Sequence, residues 1–282
     1  MKKSILFSLA IACFMSTSAQ LKTPKPSPTA TISQEVGLTD VTITYSRPGV
    51  KDRVVFGELV PYGKIWRTGA NKATSITLST DATIGGQEVK AGSYSLFTIP
   101  GKESWTIILN NETELWGTGK YSQDNDAARF TVKPESMKEK METFTIGFSH
   151  FDNGDAMIHL KWENTRVSFP IMTAATEMVE KQIKEILVDG PSAGTYYNAA
   201  RFYLDNDKDM EQALTWINAA IEKRPDAFWM IYQKARILGK LGRTKDAIAT
   251  AEKSKKMASE NEDGDFGYVA NNEKLIAELK KK

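Results

Sequence analysis

Cysteine is almost absent from this 282-residue chain, which carries only Cys13. With no second thiol it forms no internal disulfide and offers no cysteine-ligated metal, so hydrophobic cores must hold it together. Histidine is nearly as scarce. His150 and His159 are the only two, no HExxH or cysteine pair occurs, and a serine triad would have to use one of them without an identifiable nucleophile alongside. Surplus charge is missing as well. Residues 20–170 contain 17 Lys+Arg and 17 Asp+Glu, residues 171–282 contain 18 of each, and the formal +2 is Lys2 and Lys3. Neither half has the basic footprint that nucleic-acid binding leaves. Apolar runs are short, and none approaches the roughly 18–20 residues of a membrane-spanning helix.

What is present begins with an address. Lys2 and Lys3 precede an apolar run from Ile5 to Met15, followed by Thr17-Ser18-Ala19. This is the order of a secretory signal cut after Ala19. A lipoprotein would instead need cleavage after Ala12, where Ala10-Ile11 is a poor lead-in to Cys13. The expected mature protein is therefore exported, periplasmic or secreted, and free of thiols. Residues 20–33 are rich in Pro, Thr, Ser and Lys, a composition that buries little and reads as a tether.

From residue 34 to 170 the hydrophobic period is two. Val41, Ile43 and Tyr45 alternate with threonines, Phe144, Ile146 and Phe148 with Thr145 and Gly147, and Ile158, Leu160 and Trp162 continue the pattern. Nine or ten such runs, punctuated by Gly85-Gly86, Pro100-Gly101 and Asn153-Gly154, predict an antiparallel β-sandwich of jelly-roll type. One hairpin has a preferred register. A three-residue loop at Asp152-Asn153-Gly154 pairs Phe148 with Ile158, Ile146 with Leu160 and Phe144 with Trp162, whereas a two-residue loop sets an apolar face against a polar one. That register puts His150 and His159 on opposite faces, which excludes a shared metal.

Beyond Pro170 the period changes to 3.6. Val179, Ile183 and Leu187 mark a helix stopped by Gly190-Pro191. Ala213 and Ala247 stand 34 residues apart, as do Leu204 and Leu238. Tyr197, Ala200, Leu204, Ala213, Ile217, Ala220 and Pro225 resemble the tetratricopeptide signature. Ile231, Ala235, Leu238, Ala247 and Ala251 resemble it less completely, because Ser259 replaces the second proline. A last helix from about Phe266 to Lys281 caps the stack. The overall expectation is a two-domain α+β protein, with a β-sandwich over 34–170 and a short helical solenoid over 171–282.

Two segments come close to known ligand loops. Gly57 to Lys64 has one residue too many for a phosphate loop, Pro61 where a backbone donor is wanted and Ile65 in place of Ser or Thr. Asp205-Asn206-Asp207-Lys208-Asp209 begins like a calcium loop, but Met210 stands where glycine is required and Trp216 where glutamate is. These acids instead suit the end of one helix and the start of the next. No cofactor is indicated, and the balance leans against an enzyme without deciding it.

A further resemblance is specific. Ser46-Arg47-Pro48, Arg53 with Phe56-Gly57, Val60 to Asn71 (VPYGKIWRTGAN), Ala91 to Leu96 (AGSYSL), Ile99-Pro100, Trp105-Thr106 with Asn110, and Trp116-Gly117 occur in order. Together they resemble the bacterial domain-of-unknown-function family 2911, typical of secreted Bacteroidetes proteins, over roughly residues 27–170. Asp52 stands where the resemblance implies glycine. The family brings no established activity with it.

The polar members of these blocks, Arg47, Arg53, Arg67 and Asn71, have two readings. They form a donor cluster for a small anionic or sugar ligand, or they tie loops to buried carbonyls. Trp66 joins them as a candidate ligand contact; if Lys64 to Thr68 is a strand, Trp66 and Arg67 point to opposite faces, one packing inward and the other facing a loop or cleft. Tyr62, Tyr94, Trp105 and Trp116 either form a sugar-stacking platform or fill the core. In the helical half, the tetratricopeptide resemblance implies a groove for a protein or peptide partner, lined by Asn198, Phe202, Trp229, Tyr232 and Arg236. Alternatively, Trp229 packs between the domains. The functional expectation is an exported binding or interaction module, with a hydrolase or carbohydrate-active or carbohydrate-binding domain at Arg47, Arg67 and Asn71 as the alternative.

N-terminal sequencing of the protein recovered from the producing cell should begin at Gln20. An intact Met1 or a lipid on Cys13 would contradict the signal reading.

Overall fold

The computed structural model describes residues 23–187 and 190–281. The expected signal segment and residues 20–22 of the expected tether lie outside the described residues. One compact unit extends to Ala175 and a second begins at Thr176. The first contains β1 (Thr29–Val36), β2 (Thr39–Ser46), β3 (Thr74–Leu78), β4 (Ala82–Ile84), β5 (Gln87–Val89), β6 (Gly92–Ile99), β7 (Trp105–Asn110), β8 (Asp126–Val132), β9 (Glu135–Asp152) and β10 (Asp155–Thr173). Among the described residues six helices come after them: α1 (Ala175–Ile186), α2 (Ala193–Asp205), α3 (Met210–Lys223), α4 (Phe228–Lys240), α5 (Thr244–Ser259) and α6 (Tyr268–Leu279).

The strands form two antiparallel sheets, a six-stranded one in the order β1-β2-β3-β6-β7-β8 and a four-stranded one in the order β5-β4-β10-β9. β1 starts inside the expected tether. Its threonines and serines are not core formers, but they pair across the strand boundary with β2, where Thr31 and Thr44 hydroxyls lie 3.0 Å apart, as do those of Ser33 and Thr42. Cross-strand hydroxyl pairs and a half-buried Ile32 are enough to hold an edge strand.

Alternation sends one set of side chains inward from each sheet. Val41, Ile43, Ile76, Leu96 and Ile107 from the first sheet and Ile84, Phe144, Ile158, Leu160 and Phe169 from the second join one buried cluster. At its centre the Trp66 ring stacks on Trp162, with centroids 5.7 Å apart and planes 17° apart, and meets Phe144 edge-on at 5.2 Å. Phe56 and Trp105 complete the group, with centroids 4.9 Å apart. The Tyr45 hydroxyl crosses between sheets, accepting from Ile146 N at 3.0 Å and donating to Ile146 O at 3.4 Å.

The opposite face of the six-stranded sheet is covered with hydroxyls. Register places Thr31, Thr44, Ser75 and Ser95 in one row across β1, β2, β3 and β6, and Ser33, Thr42, Thr77 and Ser93 in a second. Thr77 and Ser93 are hydrogen-bonded at 2.8 Å.

The β9–β10 hairpin pairs Phe148 with Ile158 and Ile146 with Leu160, as the alternation predicts. The loop differs from the expected three residues. Asp152 pairs with Asp155, so the turn is Asn153-Gly154, both at positive φ, and a bulge between Asp155 and Met157 restores the apolar register. A second shift comes after Lys161, where the pairing steps from Lys161–Thr145 to Glu163–Met141 and skips the expected Phe144–Trp162 pair.

In the helical unit α2 packs on α3, α3 on α4, α4 on α5 and α5 on α6. Ala213 and Ala247 are both fully buried, and Leu204 and Leu238 are nearly so. The acids between α2 and α3 do helix work. Asp209 caps α3, accepting from the N–H groups of Glu211 and Gln212 at 3.0 Å, while Asp207 pairs with Lys240 and Asp205 with Arg236. Phe266 is exposed and precedes a left-handed Gly267, so α6 begins later than expected.

Removal of the central ring should be costly. Trp66→Ala is expected to lower unfolding free energy by about 3–5 kcal/mol, read from urea denaturation of the full chain.

Candidate functional site

Residues 66–74 form a tight knot that carries two of the four expected donors, Arg67 and Asn71. Trp66 N donates to Thr98 O at 2.7 Å and Thr98 N returns the bond at 2.9 Å. The Trp66 indole N–H then donates to Gly69 O at 3.0 Å, which folds the chain back on itself. Gly69 has φ +149, and a Cβ there would meet Ser46 O at 2.9 Å. Only glycine lets the knot press against β2.

The expected ligand residues are held in the knot or beside other loops. Trp66 is buried in the core, which corrects its placement among ligand contacts. It sits in an isolated bridge to Thr98, and no strand runs from Lys64 to Thr68. Arg47 donates through Nε to Phe144 O at 3.1 Å and through Nη2 to Thr145 Oγ1 at 2.8 Å. Arg53 donates to Val50 O at 3.0 Å and Gly49 O at 2.7 Å. It closes a turn in which Lys51 and Asp52 are both left-handed, a conformation Asp tolerates where glycine was expected. Arg67 is half-buried; its Nε is buried without a hydrogen bond, and desolvation pushes the guanidinium below its ordinary value. Asn71, at φ +60, bonds neither its own backbone nor Arg67. Its Nδ2 donates to Ser27 O at 3.3 Å and Ser46 Oγ at 3.2 Å. These four polar side chains do not converge on one open surface.

An open cleft does lie beside the knot. It measures about 450 Å³ and is lined by Lys25, Pro26, Thr29, Thr44, Tyr45, Ser46, Asn71, Lys72, Ala73, Ser75 and Trp116, within the roughly 300–1,000 Å³ range of small-molecule sites. Its floor is formed by Thr29 with Thr44 and Ser75 of the first hydroxyl row. Its wall is Trp116, which is 76 % exposed. The indole stands out because its neighbour is tucked in. Leu115 is buried with Ala73, Phe97 and Ile108 in a small outer core, Ala73 N donates to Leu115 O at 3.0 Å, and Trp116 bridges Lys72. Alternation across this pinned pair turns residue 116 to solvent. The Lys72 ammonium lies 2.9 Å from both carboxylate oxygens of Glu114.

One family model matches residues 27–171, a span that contains the knot and nearly all of the cleft. The chain belongs to the family described as Protein of unknown function (DUF2911). No curated protein and no solved structure matches it. Of the aromatic residues in the DUF2911 motifs, Trp105 and Tyr94 are buried, with the Tyr94 hydroxyl donating to Lys90 O at 2.8 Å. Tyr62 is partly exposed beneath Lys102. Asn110 is fully buried and structural, donating to Ser122 O at 2.9 Å and Asp126 Oδ1 at 2.8 Å.

The DUF2911 unit also holds a cluster that sequence reasoning missed. His150 has φ +54 at the hairpin bulge, which turns its ring to the face of His159. The expected separation of the two histidines is thus wrong: their centroids are 6.2 Å apart. Ser149 Oγ lies 2.6 Å from His150 Nδ1 and is hydrogen-bonded to His159 Nε2, whose Nδ1 lies 2.8 Å from Ser168 Oγ. Neither imidazole is hydrogen-bonded to a carboxylate among the described residues. Without a carboxylate to steady an imidazolium, the pair lacks the third member of a hydrolytic triad. Among the described residues no group of three or more His, Cys, Asp or Glu is placed to hold a metal.

In the helical unit, Gly190-Pro191-Ser192-Ala193-Gly194 has the GxSxG spacing of a nucleophile elbow. Ser192 is instead the N-cap of α2, accepting from Thr195 N at 3.1 Å, and it comes after a helix rather than a strand. The expected groove residues do not share one recess. Asn198 lines a cavity of about 260 Å³ with Val179, Ile183 and Leu187. Arg236 borders a different one between α4 and α6, with Nη1 on Gln233 at 2.7 Å and Nη2 on Asp205 at 3.3 Å. Trp229 lies under the Arg224 guanidinium at 4.8 Å, Tyr232 meets Tyr268 edge-on at 5.4 Å, and Phe202 is half-buried against Tyr203. No described helix is long and apolar enough to cross a membrane.

Burial, then the nearby Lys161, Arg166 and His150, lower the pKa of His159. A folded value below the unfolded one of about 6.5 means the unfolded chain takes up the proton first as pH falls. The contribution of His159 is complete above that pH and is lost as pH drops through the folded value. Denaturation of the wild type should show falling stability from about pH 7.5 to 5.5, above the range where carboxylates titrate, and His159→Gln should flatten the slope.

Proposed function

We propose that this DUF2911 protein is an exported binding module that holds its ligand without transforming it, and that the Trp116 cleft is the site. The observation that carries the reading is the pairing of an open, rigidly framed cleft with the absence, at its lining, of any histidine or carboxylate that could serve as general base. The alternative of a hydrolase at Arg47, Arg67 and Asn71 has less support, because Arg47 and Asn71 are spent on protein oxygens and Arg67 does not line the cleft.

In this reading the two sheets pack as a sandwich that presents the cleft. The helices form a tetratricopeptide-like array that engages a protein segment. The 34-residue spacing of buried equivalents such as Ala213 and Ala247 supports the second point. The signal-like start supports export.

Thermal melts of residues 20–282 against a panel of neutral oligosaccharides, short peptides, nucleotides and carboxylic acids test the site. At about 100 times Kd a true ligand stabilises by about 2.7 kcal/mol. That shift should vanish in Ser75→Trp, which fills the floor, and the ligand should be recovered unchanged. A panel that shifts nothing, or a shift that survives Ser75→Trp, would contradict the cleft.

A further inference from the structure

Resting on the cleft as the binding site, we infer that its ligand is a neutral carbohydrate chain, with one pyranose ring laid on Trp116 and the flanking hydroxyls read by the serine and threonine floor. A pyranose is two-sided, with an apolar C–H face and a rim of hydroxyls that each donate and accept. The cleft has both complements side by side. Trp116 offers a flat π surface that is left 76 % exposed, and Thr29, Thr44 and Ser75 offer hydroxyls that can rotate to donate or accept.

Other ligand classes fit less well. A flat apolar ligand would bury the floor hydroxyls without partners, at the desolvation cost of each. An anion would have Lys25 alone to meet, because the Lys72 ammonium is already clasped by both oxygens of Glu114. A single lysine favours a neutral ligand over an anion, which usually meets paired or bidentate donors.

One feature points to a chain rather than a single sugar. The floor continues beyond the cleft as the second hydroxyl row on the same face, from Ser33 through Thr42 and Thr77 to Ser93. This gives successive sugar units a polar surface to track along. The main chain that carries the indole is fixed by its bridge to Lys72 and by buried Leu115, so the wall itself needs little ordering on binding.

Calorimetric titration of residues 20–282 with neutral hexasaccharides of glucose, xylose, mannose and N-acetylglucosamine tests the inference. At least one should bind saturably, more tightly than its monosaccharide. Trp116→Ala should weaken it by about tenfold or more, with the melting temperature unchanged because the ring is exposed, and Trp116→Phe should restore most of the affinity. No saturable binding by any of the four, or binding indifferent to Trp116→Ala, would overturn the carbohydrate. If a compound of another class binds and Ser75→Trp abolishes it, the cleft stands while the sugar falls. If nothing in either panel binds, both fall.

Discussion

The rest of the β unit depends on the seating of Trp66 between the two sheets. Its ring is shared by aromatic residues from both sheets, and its indole N–H closes the chain onto Gly69. A buried ring with a satisfied polar edge is a two-ended constraint: one end fixes the separation of the sheets, and the other fixes the path of the next few residues. Along that path Gly69 presses against Ser46, Asn71 reaches Ser27 and Ser46, and Ala73 bonds Leu115. The wall of the cleft is thus set by a side chain that does not line it.

This separates the residues that mark the family from those that offer chemistry. Val60 to Asn71 reads as a signature in large part because Val60, Trp66, Thr68, Gly69 and Asn71 are tied down by packing, a left-handed turn or a hydrogen bond. Arg47 and Arg53 likewise bind backbone oxygens, which a guanidinium does well because its fork meets two acceptors at once. Apart from Trp116 and Asn71, the cleft is made largely of less distinctive residue types, such as Thr29, Thr44 and Ser75 of β1, β2 and β3. Such residues are common on any solvated sheet face, and only their alignment in rows gives them collective meaning.

Legibility in the sequence obeyed the same division. Period-two alternation located the strands and set Phe148 opposite Ile158, because a one-residue slip would have turned an apolar face to water. Alternation failed where the backbone left the β region. His150, at φ +54, reverses its side, and nothing in the residue names around it announces a bulge. The arginines were ambiguous because composition does not say whether a donor meets water or a carbonyl. Trp116 stood with Tyr62, Tyr94 and Trp105 between a sugar-stacking platform and the core, and alternation alone did not separate them. Its exposure was written in the Leu115-Trp116-Gly117 order, but reading it requires knowing that Leu115 is the residue tucked inward.

The distribution of tryptophan also gives the molecule separable optical reporters. Of the six, Trp66, Trp105 and Trp162 are sealed in one aromatic group, Trp216 and Trp229 are half-buried in the helical unit, and Trp116 stands in water. The stacked Trp66 and Trp162 rings are close enough for their electronic transitions to couple, so their near-ultraviolet circular dichroism reports whether the two sheets remain together. Trp116 emits at the red, water-relaxed edge and is the tryptophan most open to a dissolved quencher. Integrity of the fold and occupancy of the surface can therefore be tracked in one unlabelled sample, through different bands of the same amino acid.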